Sequence, residues 1–152
     1  MLYPYLPEGR QIKYVSSDNA FMKEAHKMAM EFSTDRVQST GAVVVKDGAI
    51  VGKGANISAI SNPHLLSLHK KLCPRKLLKV KSGTKYWICP GCATNKMHAE
   101  SRAAVNAGAQ AQQADLYLWG HWWCCKPCWD AMIKAGIKDV YLLDESVKLF
   151  KR

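Results

Sequence analysis

At 152 residues, with 48% hydrophobic and 22% charged side chains, the chain has the make-up of one globular domain that buries a core without disulfide staples. No stretch approaches the ~20 consecutive apolar residues of a membrane span, and the N-terminus lacks the basic-then-apolar pattern of a secretory signal. A cytoplasmic setting and no membrane partner are therefore expected. The 22 Lys and Arg against 12 Asp and Glu give a formal charge of +10, which suits either a solvated surface or a phosphate-bearing ligand, nucleotide or nucleic acid.

Residues 1–17 hold two prolines, Gly9 and three tyrosines, and read as an extended arm with a short strand at 11–15. Ser16, Ser17, Asp18 and Asn19 are all good helix N-caps. Behind them Phe21, Met22, Ala25, Met28, Ala29 and Phe32 recur at three and four residues, which predicts an amphipathic helix to about Phe32, with His26 beside its apolar stripe. Asp47-Gly48, between Gly41–Lys46 and residues 49–54, is a hairpin signal. The run Ala42-Val43-Val44-Val45 is too continuous for a strand with one wet face, so helices are expected on both sides of it.

Residues 57–97 are less regular and basic. A short helix is expected at 65–72, and Lys70, Lys71, Arg75, Lys76, Lys79, Lys81 and Lys85 follow one another with no acidic residue between. After this insertion the pattern predicts a helix from 97–98 to Gly108, a strand at 116–119, a helix over Lys126–Ala135 stopped by Gly136, a strand at 140–143 and a short helix within 145–152. Strand–helix–strand alternation implies a parallel pair. The expected architecture is α/β, a three-layer α/β/α sandwich in one domain spanning 1–152.

All six cysteines lie after position 72, and C-x-x-C pairs in a reducing compartment read as metal ligands before disulfides. His98 with Cys125-Lys126-Pro127-Cys128 supplies three ligands, the set of a catalytic Zn²⁺ that keeps its fourth position for water. Glu100, two residues after His98, is the carboxylate that would move that water's protons. The competing reading is a closed structural site, with Cys124 or His121 as fourth ligand. A second, structural Zn²⁺ is expected in the insertion: His69 and Cys73 are four apart, and Cys89-Pro90-Gly91-Cys92 is a tight knuckle. His64 is the alternative to His69. Metal there would order a lysine-rich segment poor in apolar side chains.

The stretches Gly41-Ala42-Val43-Val44-Val45, Gly54-Ala55-Asn56, His98-Ala99-Glu100, Cys125-Lys126-Pro127-Cys128 and Ile133-Lys134-Ala135-Gly136-Ile137-Lys138-Asp139-Val140-Tyr141 together resemble the zinc-dependent cytidine/deoxycytidylate deaminase superfamily, over residues 18–56 and 97–144. Ser33-Thr34-Asp35-Arg36 is similar to the deoxycytidylate branch. The resemblance implies a five-stranded mixed sheet, hydrolytic removal of an exocyclic amine and a homo-oligomer. It further implies that Asn56 bonds the sugar, that the backbone at Ala99 bonds the base, and that Arg36 meets a phosphate. Three departures stand out: Cys124 replaces a proline; the approach Trp119-Gly120-His121-Trp122-Trp123 is long and aromatic; and Ile57 replaces the glycine of nucleotide-regulated relatives, which leaves regulation by a nucleoside triphosphate without support. Those tryptophans suit either base stacking or core packing.

The expected reaction is deamination of a cytosine nucleotide, dCMP to dUMP plus ammonia. Two alternatives stand beside it: a base deaminase acting on tRNA or single-stranded DNA, and a non-catalytic, zinc-stabilised nucleic-acid-binding module.

Overall fold

The computed structural model describes residues 3–35, 37–81 and 83–151. Five strands form one mixed sheet in the order β1-β5-β4-β2-β3. The arm supplies β1 (Ile12–Val15), which runs parallel to β5 (Asp139–Leu143) at one edge. Arg10 pins it by donating to the carbonyls of Ile137 and Lys138, both at 2.8 Å. β5 is in turn parallel to β4 (Asp115–Trp119), while β4 and β2 (Gly41–Lys46) are antiparallel.

β2 returns through a two-residue turn into β3 (Ala49–Ala55). Asp47 and Gly48 both have positive φ, +50° and +78°, the backbone that a tight hairpin demands and that Asp-Gly tolerates.

Both sides of β2 are covered. Val43 and Val45 face α1 (Ala20–Phe32), while Ala42 and Val44 face α4 (Ala99–Ala107) and α5 (Lys126–Ala135). This explains the unbroken apolar run. Asn19 caps α1 by accepting from the amides of Phe21 and Met22. His26 stacks on Trp119, ring centroids 4.0 Å apart, and Phe150 of the terminal helix α6 (Ser146–Phe150) meets the same indole edge-on. Trp119 is thus a packing residue.

α4 lies unusually close to the hairpin. A Cβ built on Gly54 would fall 2.5 Å from the Ala99 carbonyl oxygen and the Ala103 nitrogen, and one on Gly52 2.5 Å from the Ala103 oxygen. Ala99, Ala103 and Ala107, four residues apart, complete the thin contact from the helix side. The start of α4 is thereby seated deep against the sheet.

Between β3 and α4 the chain makes its excursion. The Ile57 amide donates to the Met97 carbonyl at 3.0 Å, so the segment leaves and returns at one point. It contains α2 (Pro63–Lys71), capped by Asn62, and the single turn α3 (Pro74–Leu77). A 3₁₀ turn over Tyr86–Ile88 and another over Asn95–Met97 lead back to the domain. The helix begins at Ala99, after this last turn, so His98 stands at the capping position of α4 with extended backbone, not inside its first turn.

Candidate active site and metal centres

His98 and Cys125 occupy equivalent places, each the residue immediately before a buried helix, and Cys128 follows in the first turn of α5. The Cys125 and Cys128 sulfurs are 3.0 Å apart. His98 Nδ1 lies 3.3 Å from Cys128 Sγ and 3.6 Å from Cys125 Sγ. Tetrahedral zinc with Zn–S near 2.3 Å and Zn–N near 2.0–2.1 Å has edges of roughly 3.5–3.8 Å, so these donors fit zinc with the sulfur–sulfur edge tightest.

The thiols divide their roles. Cys125 is held down to about 5 by the hydrogen bond it shares with Cys128, with His98 and the Cys128 amide adding to it against the cost of burial. The proton kept between the two pushes Cys128 well up. Ser101 also donates to Cys128, at 3.7 Å.

Among the described residues this cluster contains three ligands and no fourth. Cys124 is fully buried but turns to Glu100, and burial beside that carboxylate raises its pKa. His121 Nδ1 accepts from the amides of Trp122 and Trp123, at 3.2 and 3.4 Å. The closed-site reading therefore lacks its last ligand. Glu100 is 4% exposed, and burial pushes its carboxyl upward against the opposing pull of His98.

A cavity of about 500 Å³ opens in front, lined by His98, Ala99, Glu100 and Cys125, by Asn56 and Thr40, by Trp122 and Trp123, and by Arg75, Lys76, Lys81 and Tyr86 of the insertion. Asn56 sits at its wall with much of its amide already engaged. Its Oδ1 accepts from the Thr40 amide and the Ser33 hydroxyl, and its Nδ2 donates to the Gln38 carbonyl at 2.8 Å. Arg36 lies outside the described residues.

The second cluster gathers His69, Cys73, Cys89 and Cys92, all buried. Cys92 Sγ is 3.6 Å from Cys73 Sγ and 3.4 Å from His69 Nε2. His64, near the exposed start of α2, takes no part. Gly91 makes the knuckle possible, since a Cβ there would fall 2.5 Å from the His69 ring. Burial and the crowding of other thiols push Cys92 up to about 12, although Arg75 opposes this; a cation among such buried sulfurs removes that penalty. Four donors of this kind fit a closed zinc site.

Two residues that spacing could not flag complete the picture. The Tyr86 hydroxyl is 2.9 Å from His98 Nε2, and the Arg75 guanidinium lies 4.1 Å from the centre of the Tyr86 ring. No motif marks either.

Fold and site together define a metal-dependent α/β hydrolase. A model of the cytidine and deoxycytidylate deaminase zinc-binding region matches residues 15–144. Among solved structures, the dCMP deaminase of cyanophage S-TIM5 in apo form is 25% identical, with 87% of each chain covered and a TM-score of 0.50. The same enzyme in complex with dCMP and dUMP matches at 22% identity over 87% of this chain and 88% of that one, TM-score 0.50. Acinetobacter baumannii RibD is 27% identical over 80% of this chain, TM-score 0.44, and this chain spans only 26% of its length. The chain belongs to the cytidine and deoxycytidylate deaminase family and is a zinc-dependent hydrolase. That answers the alternative of a binding module without catalysis. Among the described residues no helix is long and apolar enough to cross a membrane.

Proposed function

We propose that the protein deaminates a cytosine nucleotide, dCMP to dUMP plus ammonia, using one zinc ion on His98, Cys125 and Cys128 and a second, structural one on His69, Cys73, Cys89 and Cys92. The observation that carries the reading is the shared cavity. The walls that hold Glu100 and the three ligands continue into Lys76 and Lys81, so one space of nucleotide size combines a deamination centre with cations for a phosphate. The match to the cyanophage dCMP deaminase along 87% of both chains agrees with it.

Zinc at this centre would supply a water acidic enough to give up a proton near neutral pH. Glu100 takes that first proton, which its buried surroundings help it to hold, and passes it to the ring nitrogen, where it stays; it then takes the second proton from the oxygen newly bound at C4 and delivers it to the departing amine. Water oxygen becomes the C4 carbonyl and the C4–N bond breaks to release ammonia. The backbone at Ala99, the first residue of α4, is assigned to the base on the family resemblance. Asn56 is assigned to the sugar and Arg36 to the phosphate on the family resemblance, which also carries the expectation of a homo-oligomer; the cytoplasmic setting rests on the sequence pattern alone.

One observation favours a second reading, a base in single-stranded DNA or tRNA. Trp87 is 83% exposed within the lysine-rich insertion, and Trp122 and Trp123 line the cavity. Ammonia release from deoxycytidine, dCMP, dCTP and a cytosine-containing single strand separates the two. The expected outcome is turnover of dCMP, falling 10²–10⁴-fold in Glu100→Gln with bound zinc unchanged. Turnover confined to the single strand would replace the mononucleotide reading.

A further inference from the structure

The four-ligand cluster and the three-ligand centre are joined through Arg75 and Tyr86. Cys73 precedes the turn that carries Arg75, and Cys89 follows the 3₁₀ turn that carries Tyr86, its amide donating to the Tyr86 carbonyl at 3.2 Å. Both residues are thus fixed by ligands of the knuckle. Arg75 donates to the carbonyls of Thr84 and Lys81, at 2.8 and 3.3 Å, and its guanidinium lies against the face of the Tyr86 ring. The Gly83 amide donates to the Tyr86 hydroxyl at 3.2 Å, and His98 Nε2 lies 2.9 Å from the same oxygen.

When His98 Nδ1 ligates a metal, its Nε2 must carry the hydrogen and donate to Tyr86. A ligand histidine depends on such a partner for its tautomer, its ring orientation and its basicity. Most such partners belong to the scaffold beside the ligand. Here the partner belongs to the excursion, and the excursion is organised by its own donor cluster.

We infer that the knuckle positions the catalytic centre: filling the His69, Cys73, Cys89 and Cys92 cluster fixes Arg75 and Tyr86, and Tyr86 in turn tightens metal binding at His98, Cys125 and Cys128. Tyr86 is a positioning residue, acting through His98. The inference rests on the two-ion reading above but not on the identity of the substrate.

The test is a competition titration of the full chain with Zn²⁺ against a chromophoric chelator, repeated with Co²⁺ so that the d–d absorption also reports the ligand field. Tyr86→Phe keeps the ring under Arg75 and removes only the oxygen. It should weaken one of two binding events 10–100-fold, shift the cobalt bands of that event, and leave the other unchanged. Cys89→Ser, which disables the knuckle, should bind one ion, and that remaining ion should also be weakened about 10-fold. Unchanged affinity of the three-ligand centre in Tyr86→Phe overturns the inference. So does a loss in Tyr86→Phe with none in Cys89→Ser, because Tyr86 would then act without the knuckle. Binding of a single ion by the unaltered protein would remove the two-ion reading itself. Failure to turn over dCMP leaves every one of these readouts intact.

Discussion

The two donor clusters border the same cavity and are built by opposite means. His98, Cys125 and Cys128 stand at the starts of helices with a core beneath them. Ala99, Ala103 and Ala107 press α4 onto β3, and Trp129 and Met132 bury α5, both about 1% exposed. The insertion has little of this. Among the described residues, the hydrophobics packed against its three cysteines are Val37 and Tyr86, both half-buried, while Leu68 of α2, Leu77 of α3 and Leu78 just after it are 53–66% exposed. In the first region the fold assembles the ligands, and an ion adds chemistry. In the second, four buried donors stand where a hydrophobic core would otherwise be, and on the proposed two-ion reading an ion holds them together, because the segment cannot bury enough apolar surface to offset its ordering entropy.

Metal removal breaks this comparison most directly and carries the largest expected effect. Stripping with a chelator should abolish activity and open residues 57–97 to proteolysis and amide exchange. The strands and α1, α4 and α5 should stay protected. Protection of the insertion in the stripped protein would mean that its order comes from packing after all. Loss of the sheet along with it would mean that the two regions fold as one unit.

The same contrast explains what the sequence disclosed. Local chemistry announced the sheet and its helices: Asp47-Gly48 forced the hairpin, Asn19 capped α1, and Gly136, at φ +87°, closed α5. Ligand spacing announced both clusters, because C-x-x-C and H-x-E keep donors together whatever surrounds them. It did not decide between His64 and His69, since that choice depends on the path by which Cys89 and Cys92 return to α2. Tyr86 and Arg75 were invisible for a related reason. The Tyr86 contact with His98 joins residues 12 apart, and Arg75 reaches Tyr86 from 11 residues away, along an irregular segment that has no periodicity to read. The close seating of α4 was legible only in part: Gly52 and Gly54 look like weak strand residues until the helix backbone over them is seen.

The cavity wall between the two regions can be probed by pH. Burial, with the charge of His98 adding to it, pushes His121 down to about 4, from an ordinary value near 6.5. A histidine kept neutral by its surroundings adds nothing to the pH dependence above 6.5. As pH falls from about 6.5 to about 4 the unfolded chain gains a proton that the folded one refuses, so stability drops. Over 2.5 units that is about 3 kcal/mol. His121→Asn keeps a side-chain acceptor for the backbone of this turn and cannot titrate. Denaturation midpoints for the two proteins, taken at pH 7 and pH 4, should show the unaltered protein losing about 3 kcal/mol relative to the variant. A constant difference would mean that His121 titrates in the folded protein as it does in the unfolded chain.

The smallest effect gives the sharpest comparison, because the same chemical change can be made in each region. Asn19 caps α1 on the sheet, and Asn62 caps α2 in the insertion, each through side-chain Oδ1 and two backbone amides. Asn→Ala at either should cost about 1 kcal/mol of helix stability. If the sheet region unfolds as a whole, Asn19→Ala lowers global stability by that amount, and amides across β2, β4 and α1 exchange faster together. If the insertion is a separate, metal-ordered unit, Asn62→Ala leaves the global transition in place and speeds exchange only within 57–97, by about fivefold for 1 kcal/mol. Equal shifts of the global midpoint in both variants would show one cooperative unit. The lysine-rich excursion would then owe its order to the sheet, and the ion would be secondary.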